Sequence, residues 1–189
     1  MGSMTAKFTR NSTWVLLDAV IIIEAHSIGV WDRLLEEIRG LVGATVANDE
    51  AFYFDTKKTK KREAIRLRPY IESGRIKEVN ATIEDLQSLH ETLSSATLHG
   101  LDPGELEALA VLHGGAIEEV VFCTADGAAI RALALLGHSE SGISFESLLK
   151  EVGLQKALED HYSEKFFRYH LERGKQDRIT GTGLRKTPF

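Results

Sequence analysis

Val120-Val121-Phe122-Cys123 is a run of four apolar residues that passes through Thr124-Ala125-Asp126 straight into an alanine- and leucine-rich segment ending at Gly137. A short apolar run rich in β-branched and aromatic residues reads as a strand buried on both faces, here taken as 119–123. The segment behind it, 125–136, has helical length, and a glycine just past its end is the usual helical stop. A strand that feeds a helix does not close a hairpin. It belongs to a crossover, and crossovers build parallel sheets.

The same alternation recurs upstream and downstream. Trp14–Leu17 is a short apolar run ending in Asp18, and Ile22, His26, Val30 and Leu34 then recur near helical spacing, broken at Gly29. Residues 44–46 are a strand candidate entering Asn48-Asp49-Glu50, which reads as a helix start. Residues 75–79 form a third strand, followed by the capping box Thr82-Ile83-Glu84-Asp85 and a helix to about Ser95. Asp102-Pro103-Gly104-Glu105 opens a short helix, with Pro103 suited to the first helical position. Helices over 145–151 and 158–171 complete the set. The expected architecture is a three-layer α/β/α sandwich around a mainly parallel sheet, in one domain over residues 4–172. Residues 1–3 read as a cloning remnant. Residues 57–68 read as a basic insertion, and 173–189 as a flexible basic tail.

Composition narrows the function classes. At 189 residues, with 43% hydrophobic and 27% charged, the chain is long enough for one domain with a core and is neither collagen-like nor disordered. Its single cysteine, Cys123, permits no intramolecular disulfide and no CxxC metal site, which points to a reducing, cytoplasmic compartment. No apolar stretch approaches the roughly 20 residues of a spanning helix, so no membrane partner is expected. The net charge of −5 argues at first against nucleic acid, but it is unevenly distributed. Residues 57–78 hold nine Lys and Arg against three acids, and 173–189 hold five against one, so an acidic body carries two basic appendages.

No phosphate-binding glycine loop and no GxSxG elbow is present, and the seven histidines are scattered without HExxH spacing. The acids say more. Asp18 and Asp126 each lie just past an expected strand, and Glu50 falls in the first turn of the helix expected after residues 44–46. Taken singly, each is an ordinary cap or a favourable dipole contact. Glu105 shares a helix face with Leu109 and Leu112, and a carboxylate on an apolar face needs a partner; Glu107 falls on another face and reads as solvated. Glu24, six residues beyond Asp18, falls outside the set. In an open parallel sheet, ligands bind beyond the carboxyl ends of the strands. Four carboxylates gathered there repel one another unless a hard divalent ion such as Mg²⁺ or Mn²⁺ relieves them. Such an ion activates water for attack on a phosphodiester.

Leu16-Leu17-Asp18 with the helix behind it, Pro103-Gly104-Glu105-Leu106-Glu107-Ala108-Leu109-Ala110, and Phe122-Cys123-Thr124-Ala125-Asp126 through Arg131 together resemble the PIN domain family, over about residues 13–149. The resemblance implies a metal-dependent endoribonuclease, of the kind found among toxins of toxin–antitoxin pairs and RNA-processing factors. It implies Asp18, Glu105 and Asp126 as metal ligands and catalytic residues. Glu50, or its neighbour Asp49, completes the acidic site, and Thr124 supports it near the metal. It also implies an antitoxin or other protein partner, and a homodimer. The sequence departs from the family pattern at Ala19-Val20, where many members carry a small hydroxyl residue two positions after the first acid. It is also longer than the compact toxin type. Lys57, Lys58, Lys60, Lys61 and Arg62, with Phe52, Tyr53 and Phe54 upstream, suit single-stranded or structured RNA, since cations pair with phosphates and aromatic rings stack on bases. The alternatives are a non-catalytic module of the same fold that binds RNA or protein, and a metal-dependent phosphatase.

Overall fold

The computed structural model describes Thr9 and residues 12–49, 53–55 and 61–186. In chain order β1 (Trp14–Leu17) leads into α1 (Ala19–Ser27) and α2 (Trp31–Glu37), then β2 (Arg39–Gly43) and α3 (Ala44–Asp49). A hairpin of β3 (Tyr53–Asp55) and β4 (Arg62–Ala64) follows, then α4 (Arg68–Glu72) and β5 (Ile76–Val79). Next come α5 (Ile83–Thr92), α6 (Ser95–His99) and α7 (Pro103–Gly114), then β6 (Val120–Cys123) and α8 (Gly127–Leu135). The chain continues with β7 (Gly142–Ile143), α9 (Phe145–Glu151) and α10 (Glu164–Thr180).

Five strands form one parallel sheet in the order β5-β2-β1-β6-β7, with Leu16 opposite both Leu41 and Phe122 and Leu17 opposite Cys123. Alternation along the strands sends side chains to opposite faces. Val15, Leu17 and Val42 bury against α1, α2 and α9, through residues such as Ile21, Leu34 and Leu148. Leu16, Leu41 and Phe122 bury against α5, α7, α8 and α10, through Leu89, Leu109, Ile130 and Phe167. The result is a three-layer α/β/α sandwich. Winding runs outward from β1 to β2 and β5, then returns to β6 and runs outward the other way to β7. The direction reverses between β1 and β6, and ligands bind at such a switch point. No helix among the described residues is long and apolar enough to cross a membrane.

Three expectations need correction. The second strand is Arg39–Gly43, not 44–46: Gly40 and Gly43 flank only two apolar residues, yet Leu41 and Val42 are fully buried between β1 and β5. Residues 44–46 instead begin α3, whose half-buried Thr45 amide, in the first turn, has no partner within the helix; the Glu107 carboxylate accepts from it at 2.8 Å. Gly43 makes this possible, because a Cβ there would sit 2.6 Å from Glu107 Oε2. The last helix runs Glu164–Thr180 and not 158–171, so residues 173–180 pack as helix and not as a tail. Arg131 pairs with Asp177, and Arg178 donates to the Leu135 carbonyl, pinning this final stretch to α8.

The capping box at Thr82 forms as expected: Asp85 N donates to Thr82 Oγ1 at 3.1 Å, and Thr82 N donates to Asp85 Oδ2 at 2.9 Å. Its helix stops at Thr92, and Ser94 then caps the separate α6.

Candidate active site

Asp18 and Thr124 follow the two strands that flank the switch point. The Asp18 amide donates to the Cys123 carbonyl at 3.1 Å, which continues the parallel pairing one step beyond the strands. Asp18 occupies the cap position of α1, but its side chain makes no cap bond. Its Oδ2 accepts instead from the Thr124 hydroxyl at 2.5 Å. The same hydroxyl accepts from the Asp126 amide at 3.1 Å, so Thr124 is oriented by one acid's backbone and holds the other acid's side chain.

Asp126 caps α8, with Oδ1 accepting from Ala128 N at 2.7 Å and Ala129 N at 3.0 Å. Glu105 and Asp102 close a reciprocal capping box at the start of α7. Glu105 N donates to Asp102 Oδ1 at 2.8 Å, and Asp102 N donates to Glu105 Oε2 at 2.9 Å. Asp18 and Glu105 are each only 5% exposed, whereas Asp102 is exposed and Asp126 half-buried.

Burial without a cation leaves its mark on both buried acids. Burial pushes Asp18 up to about 6 against the pull of its Thr124 bond, and the charges of Asp102 and Asp126 add to the rise. Glu105 rises further, to about 8. Burial is again the main cause, offset in part by the bond from the Asp102 amide and reinforced by the charges of Asp126, Asp102 and Asp18. Four carboxylates therefore share one field, and among the described residues none of them is ion-paired.

Asp102 was absent from the expected set because it reads from the sequence as a helix opener. Its signal was the spacing to Glu105, since a reciprocal capping box sets two carboxylates side by side. Glu50 lies outside the described residues. Of the expected helix start Asn48-Asp49-Glu50, the described residues Asn48 and Asp49 instead end α3. Glu107, expected to be solvated, holds α3 as described above.

Lys57, Lys58 and Lys60 also lie outside the described residues. Lys61 and Arg62 are exposed at the start of β4, and the Arg62 guanidinium sits 4.8 Å from the Tyr53 ring centroid. This hairpin packs at the far end of α1: Ser27 Oγ donates to the Asp55 carbonyl, and the Phe54 and His26 rings lie 5.5 Å apart. At 1.5 Å per residue, that places the hairpin strands roughly 13 Å along α1 from Asp18.

Three residues that the sequence left aside border the acids or one another. Glu24 is buried on α1. Burial raises the Tyr162 hydroxyl, and the charges of Glu24, Glu159 and Asp18 add to the rise. The His170 ring covers Gly127, where a Cβ would come 2.6 Å from Cε1, and the Asp126 charge acts on this ring. His170 Nδ1 is buried without a hydrogen-bond partner among the described residues.

Among the described residues no three His, Cys, Asp or Glu side chains are gathered closely enough to grip an ion as they stand. Glu105 is turned back onto its own helix end, and one oxygen of Asp126 is committed to α8. Compared with family models, curated proteins and solved structures, the chain matches none.

Proposed function

We propose that the chain is a metal-dependent endoribonuclease resembling the PIN family, hydrolysing RNA phosphodiester bonds at the β1/β6 switch point. The observation that carries this reading is the burial of Asp18 and Glu105, from two separate elements, with no cation beside either among the described residues. Burying uncompensated carboxylates is costly, and a bound divalent ion compensates it. The donor set fits Mg²⁺ or Mn²⁺: it is all oxygen, and Glu105 Oε1 and Asp126 Oδ2 have no partner among the described residues. Asp18, Glu105 and Asp126 would hold the ion, with Asp102 as the fourth carboxylate of the cluster. When bound, the ion supplies a more acidic water and neutralises charge on the scissile phosphate.

The chain's own groups have defined parts in this scheme. The Thr124 hydroxyl fixes the orientation of Asp18. The first amides of α8 hold Asp126 against the strand end. To hold an ion, Glu105 would have to give up its bond from the Asp102 amide.

A cleavage assay with Mn²⁺ on single-stranded RNA tests the reading. Metal-dependent cleavage lost in Asp18→Asn and in Asp126→Asn supports it; cleavage unchanged in both variants sinks it. RNA binding without cleavage would leave a binding module, and turnover of a small phosphate ester without RNA affinity would leave a phosphatase.

A further inference from the structure

Helix α10 leaves the vicinity of Asp126 and carries an aromatic group that nothing in the fold requires. Tyr169 is 61% exposed. Its ring meets His170 edge-on, with centroids 5.1 Å apart at 90°, and His170 in turn covers Gly127, next to Asp126. A continuous pair of rings thus runs from solvent to the edge of the acidic site.

Charge along this helix is arranged around those rings. Its acids are matched by cations: Glu164 by Arg168, Glu172 by Lys175, and Asp177 by Arg131 from α8. Lys165 and Arg173 are exposed and have no ion pair among the described residues. They stand four residues before and four residues after Tyr169, a spacing that places all three on one helix face. An exposed ring between two uncommitted cations is the composition of a stacking platform for unpaired bases, with a phosphate contact on each side.

We infer that this face of α10, formed by Lys165, Tyr169 and Arg173 with His170 at its inner end, is the track along which single-stranded RNA reaches the acids. The choice of RNA rests on the nuclease reading; the choice of a single strand rests on Tyr169, because a base already stacked in a duplex cannot cover the ring. The track supplies positive charge that the acidic centre lacks, and His170 joins it to Gly127, next to Asp126, whereas the β3–β4 strands lie at the far end of α1.

The test is the affinity of the full chain for a short fluorescein-labelled oligouridylate, followed by anisotropy in EDTA so that no cleavage intervenes. Tyr169→Ala is expected to weaken binding about ten-fold, and Tyr169→Phe to preserve it, because the ring alone stacks. Lys165→Gln with Arg173→Gln is expected to flatten the salt dependence by about 0.7 in log–log slope per lost phosphate contact. Tyr169 is exposed, so thermal melts of these variants should match the parent. Affinity and slope unchanged in all the variants would overturn the inference, as would a Tyr169→Ala effect confined to oligomeric state. Tyr169-dependent binding by a chain that never cleaves would remove the nuclease reading and keep the track. Cleavage with Tyr169-independent binding would do the reverse.

Discussion

Thr124 donates its hydroxyl hydrogen to Asp18 at 2.5 Å across 106 residues of sequence, and this bond joins the ends of the two strands that flank the switch point. Among the described residues it is a direct side-chain link between the N-terminal and C-terminal parts of the site. Thr124→Val keeps the shape and removes the donor, leaving a buried carboxylate one bond short. Such a loss costs about 1–3 kcal/mol. Melts should show the larger drop at pH 8, where Asp18 is ionised, and a smaller one at pH 5, while Thr124→Ser stays near the parent. An equal drop at both pH values would mean that the hydroxyl acts through the Asp126 amide or through packing, and not through the Asp18 carboxylate.

In EDTA, the two buried acids should make the fold weaker as pH rises. Asp18 stands at about 6 and Glu105 at about 8, against ordinary values of 3.8 and 4.5. Between those limits the folded chain keeps protons that the unfolded chain gives up, so stability falls with rising pH until about pH 8 and is flat beyond it. Calorimetric melts across pH 4–9 measure this, and Asp18→Asn with Glu105→Gln should remove most of the slope.

Mn²⁺ should reverse that trend. An ion held by these carboxylates stabilises only the folded state and competes with their protons. The rise in melting temperature on adding Mn²⁺ is therefore expected to be large at pH 8 and small at pH 5, and lost in Asp126→Asn. A rise independent of pH and of Asp126 would place the ion elsewhere.

Glu105→Gln and Glu105→Ala should separate two roles of one side chain. The amide oxygen of glutamine can still accept from Asp102 N, so Glu105→Gln keeps the capping box, removes the buried charge and raises stability at pH 8 in EDTA. Glu105→Ala loses the cap as well, a difference of about 1 kcal/mol between the two variants. Both should lose Mn²⁺-dependent cleavage.

Gly127→Ala would be a mild gain in most helices, by up to about 1 kcal/mol. Here the new methyl meets the His170 ring, which is itself held 4.4 Å from the Phe166 ring. The single variant should melt lower than the parent, and His170→Ala in the same chain should restore it. Additive losses in the double variant would show that the two residues do not press on each other.

The sequence disclosed the elements whose burial is continuous. β1, β6 and α9 fall where the apolar runs and caps place them, and so does the burial of Glu105. β2 escaped because glycines shorten its apolar signal to Leu41-Val42. β7 escaped because two residues carry no period. The end of α10 escaped because its buried stripe is thin: Phe167, Leu171 and Gly174 lie in an otherwise polar helix. Within the site, the acids after strands were legible from position alone. Asp102 was concealed by its capping role, and His170 reaches Gly127 only through the packing of α10 on α8, which no local pattern encodes.

The seam between β1 and β6 also sets a time at which the site can exist. During synthesis β1, β2 and β5 emerge first and can pair in order, but Asp18 meets Thr124 and Asp126 only after residue 126 has been added and β6 has docked against a strand made about a hundred residues earlier. A nascent chain shorter than that carries Asp18 and Glu105 as separate, ordinary carboxylates. The acidic cluster is thus assembled late relative to its first member, by the closure of a single strand pair.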